Sequence, residues 1–151
     1  DESFAQTHQV SRVTDIEEAL PHTDIVSLHL PFTESTHNLI NSDRLALLPK
    51  GAFVINTGRG ELVNAQAVVD SLESGHLGCY GADVLDQEPP PTDLPLLGAP
   101  RCIITPHIGS RTYESVGRQA EKAARNLILA MNGQQPLALA NQVPIPHPPS
   151  N

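Results

Sequence analysis

Aromatic residues are scarce in this chain of 151 residues: they make up 3% of it, and tryptophan is absent. Proteins that bind single-stranded nucleic acid stack the bases on aromatic side chains, so this class is not expected. Lysine and arginine are also few, 9 against 17 aspartates and glutamates, and they form no cluster. Because a net charge of −8 disfavours a phosphate backbone, we expect no nucleic-acid partner.

Cysteines and long hydrophobic runs are lacking as well. Cys79 and Cys102 lie in short apolar stretches, which predicts core positions and neither a disulfide framework nor a metal site. No run reaches the ~18 apolar residues that a membrane helix needs, and no leader-like segment opens the chain. We therefore expect a soluble, cytoplasmic protein with no membrane partner.

The residues that are present predict alternating strands and helices. Four apolar runs rich in Val, Ile and Leu are typical of parallel strands buried on both faces, at residues 24–30, 52–57, 79–84 and 102–105. Helices are indicated at residues 42–48, 64–72 and 112–132 by caps and apolar spacing. The order predicts an α/β fold with a parallel sheet and right-handed crossovers.

The beginning of the chain is less regular. Residues 9–13 predict one weak strand, and residues 15–20 predict a short helix. Five prolines in residues 134–151 predict an extended tail.

Three chemically active side chains follow the predicted strands. Ligands of open parallel sheets bind beyond the carboxyl ends of the strands. Arg59, Glu88 and His107 all lie there, and such a set suits binding an anionic substrate and moving a proton. Taken singly, Arg59 could be a turn residue between glycines, Glu88 a solvated loop residue, and His107 a local cap. Their convergence at one edge favours function.

At these positions the chain resembles the D-isomer-specific 2-hydroxyacid dehydrogenases over residues 24–142. The matching segments, in order and at family spacing, are 24–31 (DIVSLHLP), 36–40 (THNLI), 50–60 (KGAFVINTGRG), 81–84 (GADV), 88–89 (EP) and 105–110 (TPHIGS). The resemblance implies the distal half of a doubly wound, Rossmann-type dinucleotide-binding domain. It further implies an oxidoreductase that transfers a hydride between NAD(P)H and a 2-oxo acid or D-2-hydroxy acid.

The resemblance also implies a role for each site residue. His107 is then the acid/base, Glu88 orients its imidazole, and Arg59 binds the carboxylate of the substrate. The positions that match cofactor contacts are Leu30, Thr36, Thr57, Gly58, Arg59, Asp83, His107, Gly109 and Ser110. The cofactor implied is NAD or NADP, and the complete enzyme is expected to be a homodimer that acts on a small 2-oxo or 2-hydroxy acid.

The chain departs from the family at its phosphate-binding turn. The fingerprint G-x-G-x-x-G is absent from the sequence. We therefore expect the C-terminal part of a longer enzyme, with residues 1–110 as the distal part of the dinucleotide-binding domain, 111–133 as a long helix and 134–151 as the tail. The isolated chain is expected to be inactive.

Two other functions stay open at this point. A dinucleotide-sensing corepressor without catalytic activity resembles the same family and retains the same three residues. A formate dehydrogenase is also related, but such enzymes lack a carboxylate partner for their histidine, so Glu88 argues against it.

Overall fold

Strands and helices alternate along the chain, and a computed structural model describes residues 2–139. In chain order these residues form α1 (Glu2–His8), α2 (Ile16–Ala19), β1 (Ile25–Leu28), α3 (Ser42–Leu47), β2 (Phe53–Asn56), α4 (Ala65–Glu73), β3 (Cys79–Ala82), β4 (Cys102–Ile104) and α5 (Tyr113–Met131). They also form short 3-10 turns at Leu20–His22, Glu34–Thr36, Gly60–Leu62 and Pro95–Gly98.

The four strands form one parallel sheet in the order β1-β2-β3-β4. Ile25 pairs with Phe53 and Phe53 with Cys79, while Gly81 pairs with Ile103. The predicted α/β fold with a parallel sheet is therefore confirmed. Because all four strands run in the same direction, the residues that follow them emerge at one carboxyl edge.

One face of the sheet is packed and the other is open. The side chains of Val54, Asn56, Tyr80 and Ala82 are buried, whereas Ile25, Phe53, Ile55 and Ile103 are exposed. The prediction that these strands are buried on both faces is therefore wrong for the described residues. The physical reason is the strand order. Each strand pairs with the next one in sequence, and right-handed crossovers then place every connection on the same face.

α4 and α5 begin and end where their capping residues predict. The Asn64 side chain accepts from the Ala67 amide at 2.9 Å at the start of α4, and Gly75 follows its end with φ of +71°. α4 buries Val68, Val69 and Leu72. Thr112 caps α5 by accepting from the Ser115 amide at 3.1 Å.

The prediction for the first residues is wrong in part. Residues 9–13 form no strand; α1 precedes them, and Gln9 turns the backbone with φ of +52°. Their apolar side chains, Val10 and Val13, are exposed, so this segment gains no packing as a strand. The predicted helix at 15–20 forms as α2, capped by the Asp15 side chain, and continues into Leu20–His22.

The chain divides into two compact units, Asp1–His107 and Ile108–Asn151. The sheet lies in the first unit and α5 in the second. The division into residues 1–110, 111–133 and 134–151 stays a prediction. Residues 134–139 form no helix or strand, and the rest of the predicted tail lies outside the described residues. Among the helices described here, none is both long and apolar enough to cross a membrane.

Candidate active site

The residues after β3 and β4 surround a cavity of about 410 Å³ in the first unit. Asp83, Glu88 and His107 contribute titratable side chains to its wall, and Leu85 and Leu97 contribute apolar ones. The parallel sheet explains this grouping, because β3 and β4 are neighbours and end at the same edge. The cavity therefore lies where the strand-end rule predicts a ligand.

Glu88 and His107 form the central polar contact of the cavity. His107 Nδ1 lies 2.7 Å from Glu88 Oε2, and the two side chains are 48% and 39% exposed. An ionised carboxylate only accepts, so Nδ1 carries the hydrogen and donates the hydrogen bond to Glu88 Oε2. The other oxygen, Glu88 Oε1, accepts from the Leu85 amide at 3.0 Å. The pKa of the Glu88 carboxyl lies below its ordinary value. The hydrogen bond from the Leu85 amide has the largest effect, and the hydrogen bond from His107 has the next largest.

The backbone of His107 adopts a left-handed conformation with φ of +50°. Its amide donates to the Thr105 carbonyl at 2.9 Å, which closes a tight turn directly after β4. Such a conformation costs a non-glycine residue about 1–3 kcal/mol and is found where the surroundings hold it in place. The turn brings the imidazole to Glu88, although 19 residues separate the two in sequence.

Asp83 is held at the same edge by Thr105. The Thr105 hydroxyl donates to Asp83 Oδ1 at 2.5 Å, and the Asp83 amide donates to the Asn56 carbonyl at 3.0 Å. Sequence reasoning assigned no role to Thr105. Its position directly after β4, beside a carboxylate after β3, is the signal that could have identified it.

Arg59 lies on a second turn, which follows β2. Asn56, a fully buried residue, donates from Nδ2 to the Arg59 carbonyl at 2.8 Å and accepts from the Gly58 amide at 3.1 Å. The guanidinium Nη1 donates to the Gly58 carbonyl at 2.7 Å. Arg59 is not among the described residues that line the cavity of Glu88 and His107. The structure thus brings Glu88 and His107 together and leaves Arg59 on an adjacent turn.

Asn56 is a second residue that sequence reasoning missed. It lies on the buried face of the sheet, as does Tyr80 of the neighbouring strand. Burial raises the pKa of Tyr80 to about 12, and the Asn56 side chain opposes the rise. A polar residue at a core-facing strand position was the available signal, since a buried amide needs partners.

The remaining cofactor candidates lie in two places. After β1 and β2, a Cβ on Gly58 would lie 2.9 Å from the Leu30 carbonyl oxygen, so glycine permits this close approach. Thr57 Oγ1 lies 3.3 Å from His29 Nδ1, and Thr36 Oγ1 donates to the Pro31 carbonyl at 3.0 Å. Gly109 and Ser110 belong to the second unit. The cofactor roles of these residues stay predictions.

Comparisons with known proteins identify the family. The model of the domain family described as "D-isomer specific 2-hydroxyacid dehydrogenase, NAD binding domain" matches residues 1–109 of this chain. The glyoxylate reductase of Thermofilum pendens is 43% identical over 129 residues, which are 85% of this chain and 38% of that enzyme.

Solved structures are also similar to this chain. The TT0316 protein of Thermus thermophilus superposes with a TM-score of 0.80 at 43% identity, over 84% of this chain and 40% of that protein. A Granulicella M. formate dehydrogenase superposes with a TM-score of 0.87 at 25% identity, over 90% of this chain and 36% of that enzyme.

The chain spans well under half the length of the relatives that it matches. The predicted family and the Rossmann-type α/β fold class are confirmed. This chain belongs to the D-isomer-specific 2-hydroxyacid dehydrogenase family, and the part of the family that it represents is the NAD-binding domain.

Proposed function

We propose that this chain carries the acid/base and the substrate-binding arginine of an NAD(P)-dependent dehydrogenase that interconverts a 2-oxo acid and a D-2-hydroxy acid. The observation that carries the proposal is the 2.7 Å hydrogen bond between His107 Nδ1 and Glu88 Oε2 beside a cavity at the carboxyl edge of the sheet. Glyoxylate reductases among the relatives indicate a short 2-oxo acid as the substrate class.

In the proposed mechanism His107 moves the proton. Glu88 engages Nδ1, so we assign Nε2 as the nitrogen that gives a proton to the keto oxygen in reduction and removes it in oxidation. The lowered pKa of Glu88 keeps its carboxylate ionised at neutral pH. An ionised Glu88 accepts from Nδ1 and so fixes the tautomer and the orientation of the ring.

Arg59 is assigned to the carboxylate of the substrate. A guanidinium presents five N–H donors in a planar fork, and that fork matches the two oxygens of a carboxylate. The contact from Nη1 to the Gly58 carbonyl occupies one nitrogen. The rigid turn above Asn56 supports this role, because it anchors the backbone from which the side chain extends.

The nicotinamide end of the cofactor fits the residues at this edge. The cavity combines apolar walls with Asp83 and with a proton-carrying pair, which suits a flat ring that bears a polar carboxamide. NAD supplies or accepts the hydride when it is bound. Leu30, Thr36, Thr57, Gly58 and Asp83 are the residues of the first unit that we assign to holding it. The choice between NAD and NADP stays open in this proposal.

The test is a stereospecific assay of the full gene product. NADH or NADPH oxidation with glyoxylate, hydroxypyruvate or pyruvate should proceed, and the reverse reaction should accept D-2-hydroxy acids and not their L-isomers. The isolated 151-residue chain serves as the comparison and is expected to be silent. Turnover of formate alone would favour a formate dehydrogenase. Tight NADH binding with no turnover of any acid would favour the dinucleotide-sensing alternative.

Replacing Glu88 with glutamine is expected to lower the turnover of 2-oxo acids by roughly ten- to a hundredfold, the range for a lost hydrogen bond to a charged group. The two oxygens of Glu88 accept from the Leu85 amide and from His107 Nδ1, whereas glutamine has only one acceptor oxygen and cannot serve both donors. The contact that fixes the tautomer and the orientation of the imidazole is therefore lost or weakened. Glu73→Gln, at the exposed end of α4, is the matched control and should leave kcat unchanged. An unchanged kcat in Glu88→Gln, with a primary isotope effect showing that chemistry limits the rate, would contradict the pairing.

A further inference from the structure

Gly60 follows Arg59 directly and lies against the loop that carries Glu88. Gly60 is buried, and a Cβ at this position would overlap the backbone of Leu85 and Asp86. Its φ lies outside the left-handed region, so the glycine is required by close approach and not by the path of the chain. Two backbone segments that are distant in sequence therefore touch only because residue 60 has no side chain.

The Arg59 side of this contact is held firmly. Gly60 begins the 3-10 turn Gly60–Leu62, and Asn56 bonds the residues before it through both atoms of its amide. The space beside the contact amounts to about 10 Å³, roughly the room of a single water at most. A methyl group added at Gly60 cannot be absorbed there, so the displacement falls on the other side of the contact.

Leu85, on the other side of the contact, is connected to His107 by two successive hydrogen bonds through Glu88. The Leu85 amide donates to Glu88 Oε1 at 3.0 Å, and Glu88 Oε2 accepts from His107 at 2.7 Å. Asp86, Gln87 and Glu88 are exposed, so this loop can move without opening the core. A shift of Leu85 therefore reaches His107 through Glu88.

We propose that Gly60 is a positioning residue that couples the Arg59 turn to the Glu88–His107 pair through its backbone contact with Leu85 and Asp86. The inference rests on the proposed function, because it concerns the relative placement of the substrate-binding arginine and the acid/base. The contact at Gly60 fixes the distance between the turn that carries Arg59 and the loop that carries Glu88.

The first test needs no catalysis and uses NMR on the full gene product. The Leu85 amide proton should report the ionisation of Glu88, with a midpoint below the ordinary carboxyl value, and Glu88→Gln should abolish this titration. Gly60→Ala should return the midpoint toward the ordinary value. Gly98→Ala is the matched control, because a Cβ there meets nothing within 4 Å.

The second test is a double-mutant cycle in the full gene product. Gly60→Ala should lower kcat roughly tenfold to hundredfold, the effect of a displacement near 1 Å, with the KM for the cofactor unchanged. In the Glu88→Gln background the same change should lower kcat by much less, because Gly60 acts through Glu88.

Three results would overturn the inference: an unchanged Leu85 titration, additive effects in the cycle, or a Gly60→Ala chain that does not fold. The last result would make Gly60 a requirement of the fold and not of the site. If the Leu85 titration shifts as expected but the gene product reduces no 2-oxo acid, the coupling stands and the proposed function fails. If 2-oxo acids are reduced and the titration is unmoved, the coupling alone fails.

Discussion

Replacing His107 is expected to lower the turnover of 2-oxo acids by roughly 10²–10⁴, the usual contribution of a positioned proton donor. Alanine removes the ring, and asparagine removes it while tolerating the left-handed backbone at this position, with φ of +50°. The two variants should lose similar activity, because the loss comes from the missing proton carrier and not from the turn. Steady-state kinetics of the full gene product with NADH and a 2-oxo acid measure the effect.

The binding of NADH separates this loss from misfolding. Cofactor affinity, measured by fluorescence titration, should change much less than turnover in both His107 variants. His22→Ala, an exposed histidine at the end of a 3-10 turn, is the matched control and should leave kcat unchanged. Turnover near that of the unmodified enzyme in His107→Asn would remove His107 from the mechanism.

Arg59→Lys is expected to lower kcat/KM for 2-oxo acids by roughly ten- to a hundredfold, the range for a lost hydrogen bond to a charged group. Lysine keeps the positive charge but not the planar fork, so it cannot bind both oxygens of a carboxylate at once. It also loses the guanidinium contact with the Gly58 carbonyl. Initial rates over a range of substrate concentrations give the ratio.

The matched control for Arg59 is Arg12→Lys, which changes an exposed arginine outside every helix and strand. This variant should leave kcat/KM unchanged. If Arg59→Lys behaves in the same way, Arg59 stabilises its own turn and the substrate carboxylate binds elsewhere. A fall in cofactor affinity with unchanged affinity for 2-oxo acids would assign Arg59 to the dinucleotide alone.

Elements with strong local signals were predictable from the sequence. α4 begins at the Asn64 cap and precedes Gly75, and each of the four predicted strands contains an observed one. The strand predicted at residues 9–13 is wrong because a short apolar alternation forms a strand only where a neighbour pairs with it. The exposure of one face of the sheet could not be predicted from the sequence either, because it depends on the side of the sheet on which each connection runs.

The candidate site divides in the same way. Asp83, Glu88 and His107 could be selected from the sequence because each has a reactive side chain and follows a strand. The Leu85 amide and the contact at Gly60 could not, because every residue except proline has a backbone donor and a glycine does not tell which distant segment approaches it. Asn56 lies between these cases, since its polarity is visible but its partners are not.

The amino-acid sequence by itself determined the family, the parallel α/β fold and the strand ends at which reactive side chains gather. The fold and the strand ends follow from apolar periodicity and capping residues, which act over a few residues. The family follows from the resemblance carried by the six short segments between residues 24 and 110. Only the tertiary structure decided that Glu88 is held at both oxygens, that Asn56 anchors the Arg59 turn, and that Gly60 joins that turn to the loop of Glu88. The physical reason is that hydrogen bonds and backbone contacts between distant segments exist only after the sheet has aligned its strands.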